Sequence, residues 1–291
     1  EFAQRMKNDE MITLAKFLAI SGIILPMLPH KNLLPDVNLT PYSIWLATVV
    51  VSGISYLSYL LKRYVFHESG TLVSGIIGGL YSSTATISVL ARKSRKASEQ
   101  EATDYVAAML LAISMMFLRF MILILIFSRE IFLSIYPYLL TMAVVAAIVA
   151  WFIHSRQKRS NDQPVEEEED DSSNPLEFKV ALIFAVLFVI FTFLTHYTLV
   201  YAGTGGLNLL SFVSGFSDIT PFILNLLQNT GSVAALIITA CSMQAIISNI
   251  MVNMFYALFF AGKGSKLRPW ILGGFGVVIA CNLVLLLFFY I

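Results

Sequence analysis

This chain contains two short clusters of hydroxyl and carboxyl side chains that match each other position by position. Ser82 corresponds to Asp218 and Thr84 to Thr220, because both pairs are separated by the same number of residues, a constant offset. Serine and aspartate are preferred N-caps of α-helices, and the free N–H groups of a helix N-terminus favour anions and other electron-rich solutes. The clusters therefore predict two helix N-termini that line a binding site for a small ion. The candidate residues in these clusters are Ser82, Ser83, Thr84, Ser217, Asp218 and Thr220.

Each cluster follows a glycine-containing stretch of an apolar segment. The segments GTLVSGIIGGLYSSTATISVLARKS, from Gly70, and GLNLLSFVSGFSDITPFILNLLQ, from Gly206, align without a gap under the same offset, which we call the repeat offset. Matched, broken apolar segments of this kind are typical of transporters and channels. Irregular backbone at membrane depth is tolerated only where it lines a cavity, so breaks at Gly78, Gly79 and Gly215 predict such a cavity. Close packing between helices is the alternative use of these glycines.

Polar side chains in two other apolar segments extend the predicted site. Arg119 lies in the middle of one segment. Ser242, Asn249 and Asn253 share a stripe at i, i+7 and i+11 of the other. Because polar groups are costly in the bilayer, we expect Arg119, Asn249 and Asn253 to face the cavity. A second offset, two residues shorter than the repeat offset, pairs Ser114 with Ser248 and places Arg119 and Asn253 at equivalent positions of the two segments. The alternatives are amide hydrogen bonds between helices and an ion pair of Arg119 with Asp218.

The elements that position these residues must be membrane helices. Hydrophobic residues make up 57% of the 291 residues and charged residues only 13%, which is too apolar for a soluble protein. The apolar runs are long enough to cross a bilayer as helices, and they lack the period-two alternation of a membrane barrel. Nine segments are predicted, at approximately 11–28, 43–65, 70–91, 103–128, 131–153, 177–201, 206–228, 232–262 and 269–291.

Basic residues near these segments predict their topology, since Lys and Arg accumulate in cytoplasmic loops. Segment three has basic residues on both sides, Lys62 and Arg63 before it and 92–96 after it, whereas the loops AGTGG and QNTGS around segment seven have none. Segment three is therefore predicted to enter and leave from the cytoplasm, and segment seven from outside. The predicted fold class is all-α: a polytopic transmembrane protein with an inverted internal repeat and two re-entrant, broken helices. Nine simple crossings are the alternative.

This topology divides the chain into three regions. Residues 1–155 form the first membrane repeat with an extra N-terminal helix, and residues 177–291 form the second, inverted repeat. Residues 156–176, with RQKRS followed by EEEEDD, are too charged to bury and are predicted to be a disordered acidic linker. The chain begins at Glu1 rather than methionine, and we expect it to be a piece of a longer protein.

Three stretches resemble one bacterial family, and the resemblance covers essentially the whole chain. They are IWLATVVVSGISYLSYLLKR from Ile44, GLYSSTATISVLARKSR from Gly79 and SGFSDIT from Ser214. These stretches are similar to the membrane domain of unknown function that often follows the MgtC/SapB module. The resemblance implies a multi-pass protein of the bacterial inner membrane, associated by name with magnesium homeostasis, with an N-terminal MgtC-like module in the full-length chain.

The sequence leaves several functions open. The first is a channel or secondary transporter for a small inorganic ion. The helix dipoles and Arg119 favour an anion, whereas Asp218 and the hydroxyls favour Mg²⁺, another cation or a coupled proton. The alternative is a regulatory or scaffolding membrane module, linked to magnesium homeostasis, that does not transport. An enzyme is not expected, because no second carboxylate lies deep in a segment to form a catalytic dyad with Asp218.

Cofactors and nucleic acid are not expected partners. The sequence has no GxxxxGK and no CxxC, and its two cysteines, Cys241 and Cys281, lie inside apolar runs as packing residues. Hydroxyls at Thr48, Ser52 and Ser55 are interpreted as a seam between helices. The expected partners are a small inorganic ion, the lipid bilayer and the MgtC-like module. Homo-oligomerisation stays open.

Overall fold

The computed structural model describes residues 8–33, 37, 39–65, 70–95, 97, 99–156, 178–228, 233–262 and 265–290. Within these residues the chain forms nine α-helices and one π-helical turn, Leu61–Val65, after the second of them. The α-helices are α1 (Asn8–Met27), α2 (Pro41–Leu60), α3 (Thr71–Lys93), α4 (Glu99–Phe127), α5 (Arg129–Ser155), α6 (Phe178–Ser214), α7 (Ile219–Gln228), α8 (Ala235–Ala261) and α9 (Arg268–Tyr290). Apart from Arg156, the predicted acidic linker at 156–176 lies outside the described residues.

Seven helices of the described chain are long and apolar enough to cross a membrane, namely α2, α3, α4, α5, α6, α8 and α9. The sequence also predicted seven crossings, but with α1 in place of α3. Large apolar side chains face outward, such as Trp151 at 68% and Tyr201 at 82% exposure, while Ser248 and Asn253 are buried. Apolar groups outside and polar groups inside are the arrangement of a multi-pass membrane protein.

Helix α3 folds back on itself at Ser82. The backbone of Ser82 is extended, with φ −159° and ψ 108°, although helical residues flank it on both sides. Gly78 and Thr86 would be about 12 Å apart along a straight helix. Instead, a Cβ placed on Gly78 would lie 2.5 Å from Thr86 Oγ1. Residues 71–81 and 83–93 therefore lie against each other, and we call them the first hairpin.

The first half of this hairpin packs in parallel on α4. Gly75 lies against the backbone of Ala108, and Gly79 lies against the backbone of Ala112. Residue numbers rise together along both helices, so 71–81 and α4 run in the same direction. Since α4 begins just after the hairpin, residues 83–93 bring the chain back to the level at which α3 began.

Helix α6 is also broken, at Gly203. The φ of Gly203 is 61°, a left-handed conformation that favours glycine. Gly206 then returns onto the preceding helix, where a Cβ on it would lie 2.8 Å from Thr198 Cγ2. Helical residues 204–214 follow, then a non-helical stretch at 215–218, and then α7. The predicted gap between segments six and seven therefore corresponds to this turn.

Residues 204–214 pack in parallel on α8, as 71–81 do on α4. Ser248 Oγ donates a hydrogen bond to Phe212 O at 2.7 Å, and Asn249 Nδ2 donates to Gly215 O at 3.2 Å. Because Gly215 lies beside the middle of α8, α7 must run back to the level at which α8 starts. We call residues 204–214 together with α7 the second hairpin.

The same contact occurs in both hairpins. Gly79 touches Ala112 of α4, and the repeat offset carries this pair onto Gly215 and Ser248 of α8, which also touch. The first residues of α4 and α8 are related by the same offset. Helix α8 is the most buried of the long helices, with 67% of its apolar window inside the protein. The two hairpin breaks therefore lie beside the interior of the bundle.

Candidate functional site

The breaks of both hairpins open onto one cavity of about 410 Å³. Besides the hairpins, α2, α4, the start of α6 and α8 form its walls. Eight of the nine residues predicted for the site line it: Ser82, Ser83, Thr84, Arg119, Ser217, Asp218, Thr220 and Asn249. The structure thus brings together polar groups that are far apart in sequence.

Each hairpin presents a capped helix N-terminus to the cavity. Ser82 Oγ accepts a hydrogen bond from the Ala85 N–H at 3.3 Å, and Asp218 Oδ1 accepts one from the Thr220 N–H at 2.9 Å. The caps predicted at Ser82 and Asp218 are therefore present, at corresponding positions of the two hairpins. One cap is neutral and the other carries a carboxylate. Residues 83–93 and α7 both begin at the cavity, with the positive ends of their dipoles towards it.

Arg119 of α4 supplies the positive charge of the cavity. Its Nη1 donates a hydrogen bond to Tyr81 O at 2.8 Å, at the carbonyl end of residues 71–81, where a cation is favourable. Its Nε is buried and has no hydrogen-bond partner among the described residues. The Asp218 charge attracts Arg119, but these two described side chains form no direct ion pair. Arg119 thus keeps donor capacity beside the cavity.

Asn249 and Asn253 of α8 form a chain of amides that ends at the second hairpin. Asn253 Nδ2 donates to Asn249 Oδ1 at 3.0 Å, and Asn249 in turn holds the carbonyl of Gly215. Asn253 is fully buried behind Asn249 and does not line the cavity. The repeat offset seen in the helix contacts carries Arg119 onto Phe255, so Arg119 and Asn253 do not occupy equivalent positions.

Several lining residues were not assigned to the site from the sequence. Ser52 and Ser55, interpreted as a helix seam, face the cavity from α2, and their i, i+3 spacing is the signal that could have identified them. Tyr81 directly precedes the predicted cap. Tyr256 had no sequence signal that separates it from the other aromatic residues of α8. An apolar wall comes from the start of α6: Ile183, Phe184 and Leu187.

The donors of the cavity are distributed unevenly between the two helix tips. At α7 the Thr220 N–H is taken by Asp218, and Pro221 has no N–H to offer. The tip at Ser83 and Thr84 therefore offers more backbone donors, because the first N–H groups of a helix lack intrahelical partners. Among the described residues no group of three or more His, Cys, Asp or Glu side chains could hold a metal ion. The cavity therefore offers hydrogen-bond donors from the helix tips and Arg119, together with one carboxylate, Asp218.

Comparisons with known proteins identify the family of this chain. Residues 49–261, which include both hairpins and the whole cavity-lining part of α8, match the family model described as Domain of unknown function (DUF4010). An uncharacterized protein of Aquifex aeolicus (strain VF5) is 25% identical over 224 residues, covering 76% of this chain and 96% of that protein. No solved structure matches. The chain belongs to the family described as Domain of unknown function (DUF4010).

Proposed function

We propose that the protein is a channel or secondary transporter for a small inorganic anion in the bacterial inner membrane. The observation that carries this proposal is that two helix N-termini and the Arg119 guanidinium meet at one cavity inside an apolar helical bundle. Both features favour negative charge, and the cavity is large enough for a small ion with part of its hydration. The hairpins are the re-entrant elements of an inverted repeat in this proposal.

The ends of α8 support opposed hairpins. Arg95 lies two residues after the first hairpin, and its Nη2 donates to Phe259 O at 3.2 Å, close to the last residue of α8. The second hairpin ends at Gln228, a few residues before the first residue of α8. Helix α8 has 27 residues and is therefore about 40 Å long. The bases of the hairpins thus lie towards opposite ends of a helix that can span a bilayer.

The charge of the lining favours an anion over Mg²⁺. A divalent cation requires about six oxygen ligands, usually with more than one carboxylate in an all-protein site. The described lining has one carboxylate, Asp218, and it faces Arg119 across the same cavity. A single carboxylate also gives no catalytic dyad, so we propose no enzymatic role.

The distribution of basic residues supports the proposed orientation. Arg92, Lys93 and Arg95 lie at the base of the first hairpin, and Arg268 begins α9 just after the end of α8 that this hairpin meets. Basic residues on one side of a bundle mark its cytoplasmic face. The proposed partners are the transported ion, the lipid bilayer and an MgtC-like module at the N-terminus of the full-length protein.

Ion flux into proteoliposomes tests the proposed function. We expect vesicles that contain the protein to release trapped chloride, nitrate or phosphate well above protein-free vesicles, because two helix N-termini and Arg119 offer hydrogen-bond donors to an anion in the cavity. An ion-selective electrode or an anion-sensitive dye measures the release, and a Mg²⁺ dye is read in parallel. Mg²⁺ flux without anion flux would reverse the sign of the proposed solute. If no ion moves, the protein is a regulatory or scaffolding module instead.

Single-cysteine labelling tests the proposed hairpins. In a background with Cys241→Ala and Cys281→Ala, we expect Gly70→Cys and Ala97→Cys to react with an impermeant maleimide from the cytoplasmic face of membrane vesicles. We expect Thr204→Cys, at an exposed position, to react from the other face. Labelling of positions 70 and 97 from opposite faces would mean that α3 crosses the bilayer, and the opposed-hairpin arrangement would be lost.

A further inference from the structure

In the described part of the chain, two charged side chains line the cavity. Arg119 on α4 is the fixed cation, and Asp218 between the halves of the second hairpin is the carboxylate. The other titratable groups facing Asp218 are two neutral phenols, Tyr81 on α3 and Tyr256 on α8. Helix α2 contributes hydroxyls, and α6 contributes an apolar wall. The side chains of the lining therefore sum to no net charge.

A bound monovalent anion would disturb this neutrality. Arg119 supplies the one full positive charge of the described lining against the anion and the Asp218 carboxylate, and the two helix N-termini add only partial positive charge. The charged side chains and the anion then sum to one net negative charge within the apolar helical bundle. Charge that is not balanced in such an environment is costly. Protonation of Asp218 removes the excess, so the anion and a proton favour each other's binding, and this linkage is reciprocal.

The position of Asp218 fits the role of a proton carrier. Its side chain is exposed to the cavity, and its helix-capping role does not require a charge. Ser82, at the corresponding position of the first hairpin, caps its helix with a neutral oxygen. A protonated Asp218 keeps a carbonyl oxygen that can accept from the Thr220 N–H, so the second hairpin can keep its capped N-terminus in both protonation states.

We propose that each monovalent anion crosses together with one proton carried on Asp218, which makes the protein a proton–anion symporter. This rests on the proposed function. A carboxylate oxygen of Asp218 takes the proton from water on one side while the anion binds near Arg119 and the tip at Ser83. The proton returns to water on the other side when the anion leaves. No covalent bond to the solute forms or breaks, and one negative charge moves with one positive charge.

The first test measures coupling in the unaltered protein. Chloride and nitrate serve as probes in proteoliposomes whose membrane potential is clamped with valinomycin and potassium. We expect a pH gradient, acidic outside, to drive anion uptake to about tenfold accumulation for each pH unit. The clamped potential should have no effect, because the coupled movement is electroneutral. Flux that follows the potential and ignores the pH gradient overturns the coupling alone, whereas flux no greater than in protein-free vesicles overturns the proposed function.

The second test assigns the proton to Asp218. Asp218→Asn keeps a good N-cap and imitates the protonated state, so we expect accumulation driven by the pH gradient to be lost while anion-for-anion exchange stays measurable above protein-free vesicles. Asp218→Ser copies the neutral cap of Ser82 and should behave in the same way. Accumulation that survives in either variant places the proton elsewhere. Loss of exchange in both variants, with monodisperse protein, overturns Asp218 as the carrier, because a neutral side chain would then fail to replace the protonated acid.

Discussion

Replacing Arg119 with glutamine is expected to reduce anion flux by about 100-fold, which corresponds to about 2.7 kcal/mol. The change removes the positive side-chain charge of the described lining, and a charge within a few ångströms of an ion contributes interactions of this order in a protein interior. Glutamine keeps a polar N–H₂ group at this position, but its side chain is shorter than that of arginine and gives up the hydrogen bond to Tyr81 O. The measurement is the initial rate of chloride or nitrate release from proteoliposomes.

Arg119→Lys is the matched control for charge. Lysine keeps the positive charge but loses the planar fork, so we expect only a several-fold loss of flux. A thermal unfolding profile in detergent, similar for all three proteins, shows that the difference reflects the site rather than the fold. If Arg119→Gln retains half of the flux at an unchanged melting temperature, the anion does not depend on this charge. A rise in Mg²⁺ flux in Arg119→Gln would indicate that the guanidinium repels a cation.

Much of the cavity lining could be predicted from the sequence, because a polar side chain on a membrane helix is stable only where it contacts protein or water. Ser82 and Asp218 were identified as caps from their residue types and their equal spacing, and both accept the capping hydrogen bond. Arg119 was assigned to the cavity because an arginine in mid-membrane must face protein or water. In each case the residue could be assigned to the cavity because burying a polar group without a partner is costly, and no sequence motif was needed.

Other features depended on packing that a sequence does not state. Asn249 and Asn253 belong to one polar stripe, yet only Asn249 lines the cavity. Its amide donates to the carbonyl of Gly215, whereas the amide of Asn253 lies behind it and donates to Asn249. Ser52 and Ser55 gave the same pattern as a helix seam, and only the position of the hairpins makes them cavity residues. The length of α3 alone does not distinguish a crossing from a hairpin, and the basic residues on both sides of segment three were the signal for a re-entrant segment. This length is sufficient for a crossing, but the two halves of α3 lie side by side.

Gly79→Ala is expected to destabilise the protein by about 2 kcal/mol, or about 5 °C in melting temperature. The new Cβ would lie 2.5 Å from Ala112 Cα and 2.7 Å from Ala112 O. Both atoms belong to the backbone of α4, so no side-chain rotation can relieve the overlap, and residues 71–81 must move away from α4. The cap at Ser82 moves with them. Flux is therefore expected to fall together with the melting temperature measured in detergent.

Gly276→Ala on α9 controls for the general effect of replacing a helical glycine, because a Cβ there meets nothing within 4 Å. Alanine is the better helix former, so this variant should melt at the same temperature or higher. Gly215→Ala should behave like Gly79→Ala, since its Cβ would overlap Ser248 and lie 2.8 Å from Asn249 N. Equal losses at positions 79 and 215, with none at 276, would show that both hairpins depend on the same glycine contact. An unchanged melting temperature in Gly79→Ala would mean that α3 and α4 are not in backbone contact.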